Sequence, residues 1–342
     1  MRAVIGMDVG GVNTKAAWLS DDGARPRRTA SRPFEVWRQR EALTAVIAGV
    51  VEDLGAGRPD AVALTTTAEL SDAFRTKREG VAFVLDAAEA AVGGVPLRVF
   101  TTRGRLVDPD VARSRPLEVA ASNWVATAQW AAGAYDEALL VDVGSTTADI
   151  IPILGGRVAA SGWTDLDRLI SGELVYTGAL RTNLAGIAPR VPVRGGWCPV
   201  APELFAISAD MHVVLGHIDP SAYTCPTPDG RDTGAASARE RIARLVCSDA
   251  EQLAAEEIDA IARHLHEAQV ARITAAAERV GARVPAGAPV VGAGAGMFLV
   301  REVAARIGRD VAGLPGAWDA AAAEVAPAVA LAELLLREVR AA

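Results

Sequence analysis

Two segments of this chain share one design, and that repeat limits the folds open to it. Ala3-Val-Ile-Gly-Met-Asp8-Val-Gly-Gly11 is an apolar run ending in Asp-x-Gly, and Leu139-Leu-Val-Asp142-Val-Gly144-Ser-Thr-Thr147 repeats it, with Asp142 standing 134 residues after Asp8. Each copy continues into a second β-like run, over residues 14–19 in the first and 148–154 in the second. An apolar run, a glycine turn and a second apolar run predict a β-hairpin rather than a strand-to-helix unit. Two copies suggest two domains of related topology, and two are too few for a solenoid.

The 342-residue length agrees with two domains. We expect a first domain over 1–136 and a second over 137–318, with a closing helix over 319–342 packing back on the first. Between the hairpins the pattern alternates: a helix over 40–54, a buried strand over 60–65, a helix over 80–92, a strand over 97–101 and a long alanine-rich helix over 116–133. That alternation means α/β layering. The second half opens with hairpins around Gly155-Gly156, then a loop-rich insert over 188–234 that is too long for a plain connector. Two helices follow, and Ser248-Asp-Ala-Glu251 fits a capping box for the second, which should run to about Val280. Val290-Val-Gly292-Ala-Gly294-Ala-Gly296 reads as a strand and a glycine turn.

Charge and composition narrow the function. The net charge of −7 argues against a general nucleic-acid binder but leaves room for a local anion site. Only two of the 35 basic residues are lysines, Lys15 and Lys77. The N-terminal residues lack an uninterrupted apolar targeting region, and no stretch is long and apolar enough to span a membrane. The three cysteines form no CxxC pair or disulfide framework. We expect a soluble cytoplasmic protein with no membrane partner; the oligomeric state is not legible.

The chemistry-bearing residues gather in four places. The first turn, Asp8-Val-Gly10-Gly11-Val-Asn13-Thr14-Lys15, offers glycine amides to an anion, a mobile charge on Lys15 and a carboxylate able to hold Mg²⁺ through water. The second, Asp142-Val-Gly144-Ser145-Thr146-Thr147-Ala-Asp149, offers amides, hydroxyls and two carboxylates. Facing across a cleft, the two would clamp a polyphosphate; as plain Asp-Gly turns they would bind nothing. Gly292-x-Gly294-x-Gly296 is not GxGxxG, and either lines the same cleft or packs a strand against a helix. The third place is Thr65-Thr-Thr-Ala-Glu69-Leu-Ser-Asp72-Ala-Phe-Arg75-Thr-Lys77-Arg78-Glu79-Gly80, a charged loop after a buried strand, where α/β proteins put their sites. The fourth runs through Trp163, Asp165, Asp167, Arg168, Glu173, Tyr176 and Arg181, which suit either a polar substrate or structural pairing. Asp210 and His212 suggest a metal pair without a convincing third ligand, with Cys198 and Cys225 as remote candidates for zinc. His264 and His266 fall on different helix faces and read as solvated.

The paired hairpins and late glycine turn resemble the two-lobed actin, Hsp70 and sugar-kinase superfamily, an α/β fold whose duplicated phosphate loops surround a nucleotide. More narrowly, the chain resembles the hydantoinase/oxoprolinase-like proteins of tetrahydromethanopterin-linked one-carbon metabolism. The segments that carry this are Gly6-Met-Asp-Val-Gly-Gly-Val-Asn-Thr-Lys15, Thr66-Thr-Ala-Glu-Leu-Ser-Asp-Ala-Phe-Arg-Thr-Lys-Arg-Glu-Gly80, Val141-Asp-Val-Gly-Ser-Thr-Thr-Ala-Asp149, Thr164-Asp-Leu-Asp-Arg-Leu-Ile-Ser-Gly-Glu-Leu-Val-Tyr-Thr-Gly-Ala-Leu-Arg181 and Pro226-Thr-Pro-Asp-Gly-Arg231. The resemblance implies methanofuran or methylofuran biosynthesis. The reaction would join an aminomethyl-furanmethanol diphosphate to the phenol of γ-glutamyltyramine, or a tyrosine-derived analogue, releasing diphosphate.

On that reading the substrates are small molecules, Mg²⁺ at Asp8 and Asp142 is the expected cofactor, and ATP is not required. Amides of Gly10, Gly11, Gly144 and Ser145, with Lys15, would neutralise charge growing on the leaving diphosphate. Asn13, Thr14, Thr146, Thr147, Gly292 and Gly294 would complete the phosphate side. Glu69, Asp72 and Asp165 are candidates for the base that takes the phenol proton. Lys77, Arg78 and Arg181 are candidates for substrate carboxylates or diphosphate, and Asp167, Arg168 and Tyr176 for the rest of the substrate. The alternatives are an ATP-dependent kinase or amide-ring hydrolase with adenine near Gly294, and a non-catalytic nucleotide sensor.

Overall fold

The computed structural model describes residues 2–21, 28–315 and 320–341. In chain order the elements begin with β1 (Ala3–Val9), β2 (Asn13–Ser20), β3 (Arg28–Pro33), α1 (Val36–Gln39), α2 (Leu43–Asp53), β4 (Ala61–Thr66), α3 (Lys77–Val92), β5 (Leu97–Phe100) and β6 (Leu106–Val107). Then come α4 (Pro109–Ser114), α5 (Pro116–Val119), α6 (Asn123–Ala132), β7 (Glu137–Val143), β8 (Ala148–Leu154), β9 (Arg157–Val158), α7 (Asp165–Ser171) and β10 (Leu174–Val175). The rest are β11 (Arg190–Val193), β12 (Gly196–Pro199), α8 (Ser208–Val214), α9 (Ala235–Arg244), α10 (Ala255–Gly281), β13 (Val290–Ala293), α11 (Met297–Arg306), β14 (Val311–Ala312), α12 (Ala320–Glu324) and α13 (Ala326–Ala341).

These elements form two compact units. The first holds Met1–Glu137, Ile153–Asp165 and Leu314–Ala342; the second holds Ala138–Pro152 and Leu166–Gly313. The sheet of the first runs β3-β2-β1-β4-β5-β6. Its β1 and β2 are antiparallel, with Asp8 opposite Lys15, and β4 adds parallel to the other edge of β1. All seven residues of β1 are buried, because both faces are covered. The alanine-rich α13 packs against β1, β2, β4 and α6, and its Ala328, Val329, Ala330, Leu331 and Ala332 are fully buried. Small side chains let a helix come this close to a sheet. On the first core, Leu43, Ile47 and Val50 of α2 meet Val81, Val84 and Leu85 of α3.

The sheet of the second unit runs β10-β8-β7-β13-β14, with β9 pairing the end of β8. It repeats the first: a hairpin, then a parallel strand on its inner edge, β4 on β1 and β13 on β7. The loop-rich 188–234 region contains the β11–β12 hairpin and α8, which share a core with α9 and α10 through Val191, Met211, Ile242, Ile261 and Leu265.

Three expected elements differ. The helix expected over 116–133 is broken: Ala120 bridges Thr66, Ala121 takes a left-handed φ of 51°, and α6 starts afresh at Asn123. Pairing to the end of β4 outweighs continuing the helix. Ser248 caps no helix; the Asp249 carboxylate accepts from the amides of Glu251 and Gln252 in a separate turn, while Glu257 caps α10 by accepting from Ala254 N at 3.0 Å. The closing helix is two helices, α12 and α13, and its expected first residue, Asp319, lies outside the described residues.

Candidate functional site

The first turn is built so that its carbonyls face protein. Gly10 N donates to Asn13 O at 2.8 Å, Phe34 N to Val12 O at 2.9 Å and Val36 N to Gly11 O at 3.0 Å. The amides of Gly11 and Val12 take no part in these bonds and are the donors this turn could offer an anion, whereas the amide of Gly10 is spent inside the turn. Beside them Asp8 is buried, and its Oδ1 has no hydrogen-bond partner. Burial pushes its carboxyl up to about 6 against the pull of Lys15. Lys15 Nζ donates to Glu324 O at 2.9 Å. Thr14 is buried and Asn13 half-buried. An orphaned carboxylate oxygen next to phosphate-type amides is a hard donor that suits Mg²⁺.

The first unit also gathers Glu69, Lys77 and Asp165. Glu69 follows β4 in a single helical turn and is 2% exposed. Its Oε2 accepts from Thr66 Oγ1 at 3.2 Å, and its Oε1 has no partner. Burial raises its pKa to about 7; the Lys77 charge lowers it and the Asp165 charge raises it. Lys77 opens α3, which Thr76 caps by accepting from Glu79 N at 3.2 Å, and its Nζ pairs with Asp165 Oδ2 at 3.3 Å. A carboxyl poised near neutrality beside a cation and a second carboxylate is what a general base requires. Asp72, in the loop before α3, and Arg78, in the first turn of α3, are exposed and stand outside this group.

A cavity of about 530 Å³ in the first unit is lined by Thr101, Arg103, Arg105, Arg115, Glu118 and Trp163, among others. The Arg103 guanidinium lies 5.3 Å from the Trp163 ring centroid, and Trp163 packs on Trp124 at 5.9 Å. Arginines over an aromatic wall suit a planar or carboxylate ligand. Sequence reading singled out Trp163 but none of these arginines, which are scattered among many surface ones.

In the second unit the turn has the same plan. Gly144 N donates to Thr147 O at 2.9 Å, Ala179 N to Gly144 O at 2.9 Å, and the amides of Leu180 and Arg181 to Ser145 O. The amides of Ser145 and Thr146 are left outside these bonds, and Gly144 N again is not. Gly294, at φ 86°, lies against Asp142: a Cβ there would stand 2.5 Å from Asp142 Oδ1 and 2.3 Å from Val143 O. The third glycine turn therefore abuts the second Asp-x-Gly turn, and Gly296 N donates to Val143 O at 2.8 Å. Gly292 is buried against Met297. Asp142 is 9% exposed, a carboxylate compatible with a hard cation.

The remaining predicted residues fall elsewhere. Arg168 is 3% exposed and paired with Asp149. Tyr176 is 61% exposed, Asp167 is exposed, and Arg181 is half-buried. Asp210 is committed to Arg241 at 2.7 Å and Tyr223 Oη at 3.0 Å, so it is not a metal ligand beside His212. Among the described residues His212 instead gathers with His217 and His266, and neither Cys198 nor Cys225 joins them. His266 is buried rather than solvated, and His264 is half-buried, edge-on to Trp197. No helix among the described residues is long and apolar enough to cross a membrane.

Comparison with known proteins agrees with this architecture. The chain is 37% identical over 264 residues, 77% of each chain, to the (4-{4-[2-(γ-L-glutamylamino)ethyl]phenoxymethyl}furan-2-yl)methanamine synthase of Methanocaldococcus jannaschii. It is 44% identical over 119 residues to the synthase of that name from Methanococcus vannielii, 35% of this chain and 53% of that one. Among solved structures, nucleotide-free acetone carboxylase matches with a TM-score of 0.57 and 12% identity, over 96% of this chain and 70% of that one. The fold is that of the actin, Hsp70 and sugar-kinase superfamily. The model of the hydantoinase/oxoprolinase family matches residues 60–338, and the chain belongs to that family.

Proposed function

We propose that this protein is a transferase of methanofuran or methylofuran biosynthesis that forms an aryl ether. It joins an aminomethyl-furanmethanol diphosphate to the phenol of γ-glutamyltyramine or of a tyrosine-derived analogue. The observation that carries the reading is Glu69, a buried carboxyl held near neutrality with one oxygen unpartnered. The names of the two methanogen relatives supply the substrate class.

The bond between the furfuryl carbon and the diphosphate oxygen breaks, and diphosphate leaves with the electron pair. The phenol oxygen forms the new bond to that carbon, and its proton passes to Glu69. Lys77 and Asp165 orient the acid and tune its charge. Charge growing on the leaving group is met by the amides of Gly11 and Val12 in the first turn and by Lys15. Mg²⁺ on Asp8, where bound, would supply further positive charge to the diphosphate oxygens. The arginine-lined cavity beside Trp163 takes the substrate carboxylates, a task that sequence reading gave to Lys77, Arg78 and Arg181.

The test is incubation with the furfuryl diphosphate, the phenolic amine and Mg²⁺ without ATP, followed by mass spectrometry for the ether. Ether and free diphosphate are expected. No ether without ATP, with ADP released when ATP is added, would replace this reading with a kinase or ATP-driven hydrolase. Nucleotide binding with neither activity would make the protein a sensor. Lys15→Ala should lose turnover while staying folded; an unchanged rate would remove the first glycine turn from the reaction.

A further inference from the structure

Three of the chain's four histidines, on elements distant in sequence, meet in the second unit. His212 lies on α8, His217 in the loop after it and His266 on α10. One ring nitrogen from each falls within 4.8 Å of the other two. Phe298 walls the group, with ring centroids 4.7 Å from His212 and 5.3 Å from His217. None of these residues belongs to the site described above.

The surroundings fix which nitrogens keep a lone pair for a metal. Gln269 Nε2 donates to Gly178 O and to Thr177 Oγ1, both at 2.9 Å. A carbonyl only accepts, so the amide is oriented with Oε1 toward His212 Nε2, 3.0 Å away. His212 therefore carries its proton on Nε2, and its Nδ1 is a lone pair. His266 Nε2 lies 2.9 Å from Glu302 Oε2, and a carboxylate accepts, so His266 is also protonated on Nε2. Its Nδ1 is buried with no hydrogen-bond partner, in a residue only 7% exposed. His212 Nδ1 faces His217 Nδ1 at 3.3 Å. Two imidazoles thus have the second-shell acceptor that metal-ligating histidines almost always have, an amide oxygen for one and a carboxylate for the other.

We propose that His212, His217 and His266 bind a borderline transition-metal dication of the zinc class. Three imidazole nitrogens are a standard zinc donor set, and exposed His217 leaves the fourth position to water. The neighbouring group of His266, Glu267 and Glu302 is a poorer choice, because Arg306 already pairs with both carboxylates, at 2.8 and 2.6 Å. The metal has a structural target. Through Gln269 the cluster holds Gly178, whose backbone packs on Ser145 and Thr146 of the second glycine turn. The bound ion braces that turn from behind, whatever reaction the protein catalyses.

The experiment strips the full chain with a chelator and titrates it with Co²⁺ and Zn²⁺. About one equivalent of Co²⁺ should bind with visible d–d absorption of a nitrogen-rich tetrahedral site, and Zn²⁺ should displace it and raise Tm. His217→Ala, at an exposed position, should fold like the stripped wild type yet lose about 100-fold or more in metal affinity and the Tm response. Glu267→Gln should keep both. No absorption and no Tm shift in wild type would overturn the proposal. Binding that survives His217→Ala, or that fails in Glu267→Gln, would overturn it too, by placing the metal elsewhere.

Discussion

The two units bury charge in opposite ways. In the first, the buried acids Asp8 and Glu69 each keep one oxygen without a partner, and burial lifts both well above the usual carboxylate range. In the second, three acids are paired with arginines: Asp210 with Arg241, Asp149 with Arg168, Glu173 with Arg283. An incompletely satisfied buried acid is costly and is retained where its proton does something; a paired one holds a shape. The glycine turns share a backbone plan, so the difference lies in what surrounds them. The first unit supplies titratable groups, and the second supplies mechanical support.

The largest effect should come from the reactive side of that contrast. Glu69→Gln keeps the shape and removes the base, so ether formation should fall about 10²–10⁴-fold. Wild-type kcat should rise with pH through about 7 as Glu69 ionises, and the variant's residual rate should lack that step. A variant as fast as wild type would end the assignment of chemistry to the first unit.

On the structural side, Arg241→Leu leaves Asp210 buried without its cation. Both side chains are fully buried, and Arg241 also holds Asp229 at 3.0 Å. Urea unfolding should show a loss of about 3–5 kcal/mol. A loss below about 1 kcal/mol would mean that pairing in the second unit is not structural.

Glu69→Gln also tests the cost of an unpaired acid, by stability. The unfolded carboxyl ionises near 4.5 and the folded one near 7. Between those values the folded chain holds a proton that the unfolded chain has released, so this group makes stability fall as pH rises through that window. The variant should match wild type below pH 4.5 and exceed it above pH 7 by on the order of 3 kcal/mol. Parallel urea midpoints at pH 5 and pH 8 would show that Glu69 is better solvated than its burial implies.

How much of this was legible depended on whether local pattern or tertiary contact decided it. The hairpins could be read because alternating apolar runs and glycines fix a hairpin locally. The break at Ala121 could not, since it depends on Ala120 meeting Thr66. Glu69 could be named as a base candidate, but it sits in a string of polar residues, and nothing there announces that it is buried while Asp72 is exposed. The amides of Gly10 and Gly144 looked like anion donors, yet both are spent inside their turns; the neighbouring amides are the ones left over. The histidines looked unrelated because only the packing of α10 on α8 joins them.

The smallest predicted effects compare glycines that serve the two turns. Gly178 supports the second: a Cβ there would stand 2.6 Å from backbone atoms of Ser145 and Thr146. Backbone cannot rotate away as a side chain can, so Gly178→Ala must displace the turn itself, at about 1–3 kcal/mol. Gly11 lies in the first turn, and a Cβ on it would meet nothing within 4 Å. Gly11→Ala should therefore stay within about 0.5 kcal/mol of wild type. On the proposed function its effect belongs to KM for the diphosphate, because the Gly11 amide is one of the donors proposed for the leaving group. Equal losses of stability in the two variants would mean that the first turn is braced as tightly as the second. The division between a reactive unit and a supporting one would then rest on the buried acids alone.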